Sequence, residues 1–379
     1  MLKSRWLLSA CFILLVGCQM NDEPIEEQEM DENKAAETKQ QDVKEKDDVE
    51  EGSTEVDDSL QLLSMERLND QPHFMLNDLL DIIGGEYDFD DVHRTVEITI
   101  NDDSFYLIDE VPVLERNGQY VATDEIHLTI VEEKDDYSVF LPVAFIEKGL
   151  DIPVQIERET IEFHWYGPTE RVGGPPEDFD MSDWDVDEMV DYLSFLESPI
   201  QGAQVSRQPS HLPGAPRDYR NGFHEGIDWY GYATGEAITP ETPIYAMGEG
   251  VVVRVDHDFK EYSSPEERNE DLAYTVEIQD TPEYIFDRLR GMQVWVEYPG
   301  GVMNRFAHLS GIPEDLQVGD TVDAETVIGY VGNTGTSFSV NGDEMGGLHL
   351  HQDLLIYGEL FWEPFTLDET STILQRIWE

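Results

Sequence analysis

The sequence predicts a mainly β C-terminal domain, a small α+β domain before it, and a disordered acidic tether leading in. Three observations predict this. Residues 19–58 are acidic and nearly free of aromatic or patterned aliphatic residues, a composition that buries no core. Residues 59–166 mix helical spacing with alternating polarity. From Ser198 onward, short alternating runs are broken by many glycines and Pro-Gly turns.

A length of 379 residues suggests two or three domains. The formal net charge is −60, from 83 acidic and 23 basic residues. Such a chain is repelled by phosphate backbones, so no nucleic acid partner is expected. An anionic membrane face repels it too. The acidity suits a salty or alkaline exterior. The two cysteines, Cys11 and Cys18, both lie near the start, so no disulfide framework exists.

Residues 1–17 read as a signal peptide. Lys3 and Arg5 precede an apolar run, Trp6 to Val16, too short for a comfortable membrane span. Leu15-Val16-Gly17-Cys18 resembles the lipobox of bacterial lipoproteins. That resemblance implies cleavage before Cys18 and lipidation of its sulfur, giving stable anchoring to the membrane. It also implies the extracellular face of a bacterial cell membrane, and the tether fits a Gram-positive surface. A plain signal peptide or an uncleaved anchor helix are the other readings. Residues 18–58 then carry the lipid and the linker, which as a coil of roughly 40 residues spans about 35 Å. A spacer holding the folded part off the membrane and a linker of untuned length fit this composition equally.

Within 59–166, Met75 to Ile83 has helical spacing and stops at Gly84-Gly85. Thr95 to Ile100 alternates as a strand does. Leu141 to Lys148 looks helical and stops at Gly149, and Val154 to Trp165 alternates again. Strand-like runs lie between, at Ser104 to Ile108, Val111 to Glu115 and Ile126 to Val131. This repeated helix–strand unit resembles the stalk domain called copper amine oxidase N-terminal-like, which carries no copper chemistry. Its histidines, His73, His93, His127 and His164, share no spacing and read as ordinary residues. Wall binding, docking of an envelope protein partner and spacing are all open roles.

Residues 167–197 form a connector. Gly173-Gly174-Pro175-Pro176 breaks regular structure, and Ser182 is the expected cap of a helix from Asp183 to Leu196. Met189, Val190, Leu193 and Leu196 fall on one stripe.

Residues 198–379 hold the candidate chemistry. Strand-like runs occur at Pro243 to Met247, Gly250 to Val255 and Val294 to Tyr298, the last followed by a Pro299-Gly300-Gly301 turn. An acidic insertion spans about 257–291, with helical stretches around Ser264 to Asp271 and Pro282 to Leu289. In His349-Leu350-His351 both imidazoles face one side of a strand, because side chains at i and i+2 do. Such a pair can bind a metal, or divide metal binding and proton handling. It also occurs as ordinary hydrogen-bonded residues. His224 and Asp228, four apart around a glycine, can converge on one cation.

The runs HEGID, TPIYAMGEGVV, RFAHLS, VGDTV, IGYVGNTG and LHLH occur in this order. Together they resemble the LytM/lysostaphin-like zinc metallopeptidases that cut peptidoglycan peptides, over roughly 198–365. The resemblance implies a duplicated hybrid motif, with antiparallel sheets flanking a groove. It implies one Zn2+ per chain on His224, Asp228 and His351, with a fourth position open to water. It implies His349 as general base and His308 as the donor to the oxyanion, roles the two could exchange. Gln352-Asp353 departs from the aromatic and glutamate common at that place, which puts the support of His351 in question. The insertion either walls the groove or is a solvated excursion.

The expected function is a zinc metalloendopeptidase of the outer cell surface acting on peptidoglycan stem or cross-bridge peptides. The alternative is a catalytically silent wall-binding or hydrolase-regulating scaffold of the same fold.

Overall fold

The computed structural model describes residues 59–133, 136–220 and 222–379; the signal sequence, Cys18 and the acidic tether lie outside the described residues. Among the described residues no helix is long and apolar enough to cross a membrane.

The structure is built mostly of antiparallel sheets. The largest runs Ile227–Tyr230, His349–Ile356, Val302–Ala307, Val294–Tyr298, Gly250–Val255 and Thr321–Val322. Glu359–Leu360 pairs with the far end of His349–Ile356. A second sheet orders Pro243–Tyr245, Val327–Val331 and Leu309–Gly311. Between them lies a core of Trp229, Val294, Val296, Phe306, Leu350, Leu354 and their neighbours, all almost fully buried. Each large apolar side chain so buried stabilises the fold by about 1.5–3 kcal/mol.

Both faces of the large sheet are covered, so no residue of Val302–Ala307 or His349–Ile356 is exposed. Alternation in Val294–Tyr298 therefore sorts two interiors. Val294, Val296 and Tyr298 join the main core. Trp295 turns the other way, with Met303, Leu355 and Val253, onto Ile108, Val111, Val113 and Tyr120 of the preceding region. Arg305 is fixed in this seam. Its guanidinium lies 4.4 Å from the Trp295 ring centre and donates to the Tyr120 hydroxyl at 3.0 Å.

The 59–166 region has its own core, including Phe74, Leu76, Leu79, Ile98, Phe105, Phe145 and Phe163. The helix Leu76–Ile83 buries Leu76, Leu79, Leu80 and Ile83 on one face and ends at Gly84. Thr95–Ile100 is a strand as expected.

Other expectations need correction. Leu141 to Lys148 is not one helix. Phe140, Leu141 and Pro142 pair with Met75, Phe74 and His73, so sheet pairing overrides the helical spacing. Only Phe145–Gly149 coils, in a single π turn that buries Phe145 and Ile146. Val111 and Val113 are buried without strand pairing, in tight turns where the Val113 N–H donates to Val111 O at 2.9 Å. Val154 to Trp165 is a hairpin, Val154–Glu157 against Thr160–His164, because the chain reverses at Arg158 (φ 59°).

In the connector, Asp185 rather than Ser182 caps the helix, which spans Val186–Leu193. The Asp185 carboxylate accepts from the Asp187 and Glu188 N–H groups, and Glu188 accepts from the Asp185 N–H. Ser182 sits one turn earlier and donates to Asp180. Met189, Val190, Leu193 and Leu196 are buried, as their stripe requires.

Within the insertion the first helix, Pro265–Ile278, is longer than its sequence signal, and the second, Glu283–Arg290, is shifted by one residue. Ser264 caps the first, accepting from the Glu267 N–H.

Candidate metal centre

Strand register brings the first two candidate residues together. Ile227–Tyr230 runs antiparallel to His349–Ile356, with Asp228 opposite His351 and Tyr230 opposite His349. Opposed residues share a face, so all four side chains point to one side. His224 arrives from the preceding loop, fixed by hydrogen bonds from its N–H to Ala215 O and from the Gly214 N–H to its own carbonyl, both 2.8 Å. Gly226 lets that loop press against the sheet. A Cβ there would lie 2.2 Å from Gln352 O, so only glycine fits.

His224 Nε2, Asp228 Oδ1 and His351 Nδ1 form one triangle. The sides are 3.0 Å for His224–Asp228, 3.0 Å for His351–Asp228 and 3.2 Å for His224–His351. All three residues are buried. Tetrahedral ligands about 2.0–2.1 Å from a zinc ion would stand about 3.3 Å apart, so this donor set fits zinc in chemistry and spacing. The Arg217 guanidinium lies 3.5 Å from Asp228 Oδ2.

Each ring has one nitrogen anchored to an acceptor. His224 Nδ1 donates to Leu212 O at 3.0 Å, His308 Nδ1 to Thr334 O at 2.7 Å, and His349 Nδ1 to Gly347 O at 2.7 Å. His351 reverses the pattern, with Nε2 donating to Asp353 Oδ1 at 2.7 Å. Carbonyls and carboxylates only accept, so the anchored nitrogen carries a proton; the second nitrogen of His308 and His349 then offers its lone pair, while those of His224 and His351 face Asp228 Oδ1 and would offer theirs to a metal. The departure at Gln352-Asp353 is thereby resolved. Asp353 holds the His351 ring, while the Gln352 side chain accepts from the Trp229 indole and donates to Asn304.

The charges follow. Burial opposes a charge on Asp228, yet His224 and His349 hold its carboxyl well below the usual carboxylate range. Burial also lowers the pKa of His351, but Asp353 and Asp228 outweigh it and push it up to about 9. Burial lowers His308 well below its ordinary value, with His349 and His351 adding to the effect. Burial lowers His349 as well. Near neutral pH the rings of His308 and His349 are therefore uncharged and able to take a proton.

His308 and His349 stand side by side, ring centres 4.7 Å apart, with His349 Nε2 3.7 Å from Asp228 Oδ1. His308 holds a left-handed backbone (φ 59°), uncommon for a residue with a side chain. Its N–H donates to Arg290 O at 2.8 Å. The five residues predicted from sequence thus meet at one cavity of about 640 Å³. The insertion supplies Arg268, Phe286, Leu289 and Arg290 to its wall.

Sequence reading missed Tyr230, His211 and Arg217. Tyr230 stacks on His349 at 4.3 Å, and His211 lies 4.7 Å behind Tyr230. Tyr230 was available from period two, two residues beyond Asp228 on the same strand face. Neither His211 nor Arg217 has a local signal of this kind.

Residues 222–360 match peptidase family M23. Solved structures similar to the chain include LytU, at 24% identity over 43% of this chain and 77% of that one, TM-score 0.24. A putative M23 peptidase from Pseudomonas aeruginosa shares 19% identity over 63% of this chain and 85% of its own, TM-score 0.26. The catalytic domain of lysostaphin from Staphylococcus simulans shares 18% identity over 48% and 90%, TM-score 0.24. No curated protein matches the chain.

Proposed function

We propose, from the premise that residues 222–360 form a peptidase family M23 domain, that the chain is a zinc metalloendopeptidase cutting peptidoglycan stem or cross-bridge peptides. The observation that carries this reading is the buried triangle of His224, Asp228 and His351 beside the rings of His308 and His349 in one groove. Zinc, when bound, supplies a Lewis acid that activates water toward a peptide carbonyl. His224 through Nε2, Asp228 through Oδ1 and His351 through Nδ1 would hold it.

The other groups act on protons and charge. His349, nearer Asp228, takes a proton from the attacking water at Nε2 and returns it to the leaving amine. His308, its Nδ1 held by Thr334 O, presents Nε2 to the reacting carbonyl oxygen. Uncharged His308 carries no proton on Nε2, so it donates to that oxygen only after Nε2 has itself taken the proton of the attacking water, in which case His308 and not His349 is the base. Tyr230, stacked on His349, fixes the plane of that ring. We further propose that Cys18 anchors the chain by lipid to the outer face of the membrane, within reach of the wall.

Purified protein incubated with isolated sacculi tests this. New peptide termini on intact glycan are expected, identified by mass analysis of the released fragments. The reading fails if zinc-loaded wild type releases nothing, or if His351→Ala releases as much.

A further inference from the structure

The insertion ends where the site begins. Arg290, the last residue of the Glu283–Arg290 helix, is 7% exposed. Its Nε donates to Asp353 Oδ2 at 2.7 Å, and the other oxygen of Asp353 accepts from His351 Nε2 at 2.7 Å. Asp353 is fully buried. A buried carboxylate without a paired cation is costly, and here the cation comes from the insertion. The chain of contacts is short and continuous: guanidinium, carboxylate, imidazole, metal-facing Nδ1. Asp353 thereby fixes both the ring plane and the tautomer that leaves Nδ1 free for a metal.

A second route reaches His308. The Arg290 carbonyl accepts the His308 N–H at 2.8 Å. Beside it the helix end and the Thr334-Gly335 loop touch backbone to backbone. A Cβ on Gly291 would lie 2.4 Å from Thr334 O, and one on Gly335 would lie 2.4 Å from Leu289 O. Both glycines also have left-handed φ, 69° and 75°. Thr334 O is the acceptor for His308 Nδ1. The first helix of the insertion grips the same loop, as Arg268 Nε donates to Gly335 O at 2.9 Å. Glu261 accepts the Gly335 N–H at 2.8 Å.

We propose that the 257–291 insertion is a positioning element of the metal site, coupled by the Arg290 side chain to His351 through Asp353 and by the Arg290 carbonyl to His308. The inference rests on the zinc reading above and deepens it, giving the insertion the task of positioning metal-site groups besides walling the groove. Arg290 touches neither metal nor substrate in this role; it acts through Asp353.

The test is zinc affinity of the full chain, measured by competition with a chromophoric chelator. Arg290→Met removes the side-chain route and leaves the carbonyl route. It is expected to weaken zinc binding about 10- to 100-fold, the usual effect of losing a group behind a ligand. Arg290→Lys, which keeps a cation beside Asp353, is expected to recover part of that loss and keeps the test available if Arg290→Met does not fold. Asp353→Asn should weaken zinc by a similar factor, and the double variant should bind no more weakly than the worse single one. A purely structural role would instead multiply the two losses. Unchanged affinity in both Arg290 variants, or multiplied losses in the double variant, overturns the proposal while leaving the zinc reading intact. Wild type that binds no zinc overturns both.

Discussion

The chain holds ten histidines, and the four of 59–166 are used in the opposite way to four of the six in the C-terminal region. Those of 59–166 are each satisfied locally or at the surface. His73 Nδ1 bonds Gln71 O at 3.0 Å, His127 bonds Asp124 O at 2.9 Å, and His93 reaches the exposed Asp280 at 3.1 Å. His164 pairs with Ser59 Oγ at 3.0 Å. In the C-terminal region, His224, His308, His349 and His351 each spend one nitrogen on an anchor and turn the other into a shared groove. What separates the regions is register rather than residue type. An antiparallel pair that sets Asp228 opposite His351 makes a donor triangle that no count of histidines produces.

The sharpest way to break that contrast is to remove ligands on one side and ordinary histidines on the other. His224→Ala or Asp228→Ala is expected to lower zinc affinity by more than about 100-fold, beyond the effect of a residue behind a ligand. Peptide release from sacculi should fall with it. His73→Ala and His127→Ala should leave the metal content of dialysed protein unchanged. Equal zinc loss in His73→Ala would show that the contrast between the regions is false.

How much of this was legible depends on the range of the interaction. The period of two in LHLH announced that His349 and His351 share a face, because that fact is local to one strand. Likewise Leu76–Ile83 was readable from its own spacing and the glycine that ends it. Arg290 was not. Its link to Asp353 spans 63 residues and depends on where an insertion folds back, which no local pattern encodes. Leu141 failed for the same reason, its helical spacing overridden by pairing with Phe74. The Asp185 cap is a different kind of miss. The signal, an acid followed three residues later by Glu188, lies in the sequence itself and is stronger than that of Ser182.

The seam between the regions gives the next prediction. Burial pushes the Glu297 carboxyl up to about 8, and donation from Gln119 at 3.3 Å and the Tyr120 N–H at 3.4 Å only partly opposes this. Unfolded, the group titrates near its ordinary value of 4.5. Between these values the folded chain holds a proton that the unfolded chain has released. Stability is therefore lost as pH rises from about 4.5 to 8, and no further loss from this group follows above that. Glu297→Gln removes the titration. It should match wild type near pH 4 and exceed it by a few kcal/mol at pH 9, at about 1.4 kcal/mol per pKa unit. Parallel denaturant curves for the two proteins across this range would mean that the seam around Glu297, where Gln119 and Tyr120 meet it, does not raise its carboxyl in the folded chain.

The smallest expected effect separates a cap from an ion pair on one helix. Asp185 satisfies two N–H groups at the start of Val186–Leu193, at 2.8 and 3.0 Å, and places a negative charge where the helix dipole favours it. Two residues on, Asp187 pairs with Arg376 of the Leu367–Trp378 helix at 2.6 Å, but both side chains are well exposed. Exposed pairs contribute little, because water screens the charges and two long side chains lose freedom. Asp185→Ala should therefore cost about 1 kcal/mol of unfolding free energy. Asp187→Ala should cost less than about 0.5 kcal/mol, and neither should change zinc content. The order matters more than the values. If Asp187→Ala proves the costlier, the connector helix is held by its charge contact with the C-terminal helix and not by the cap that starts it.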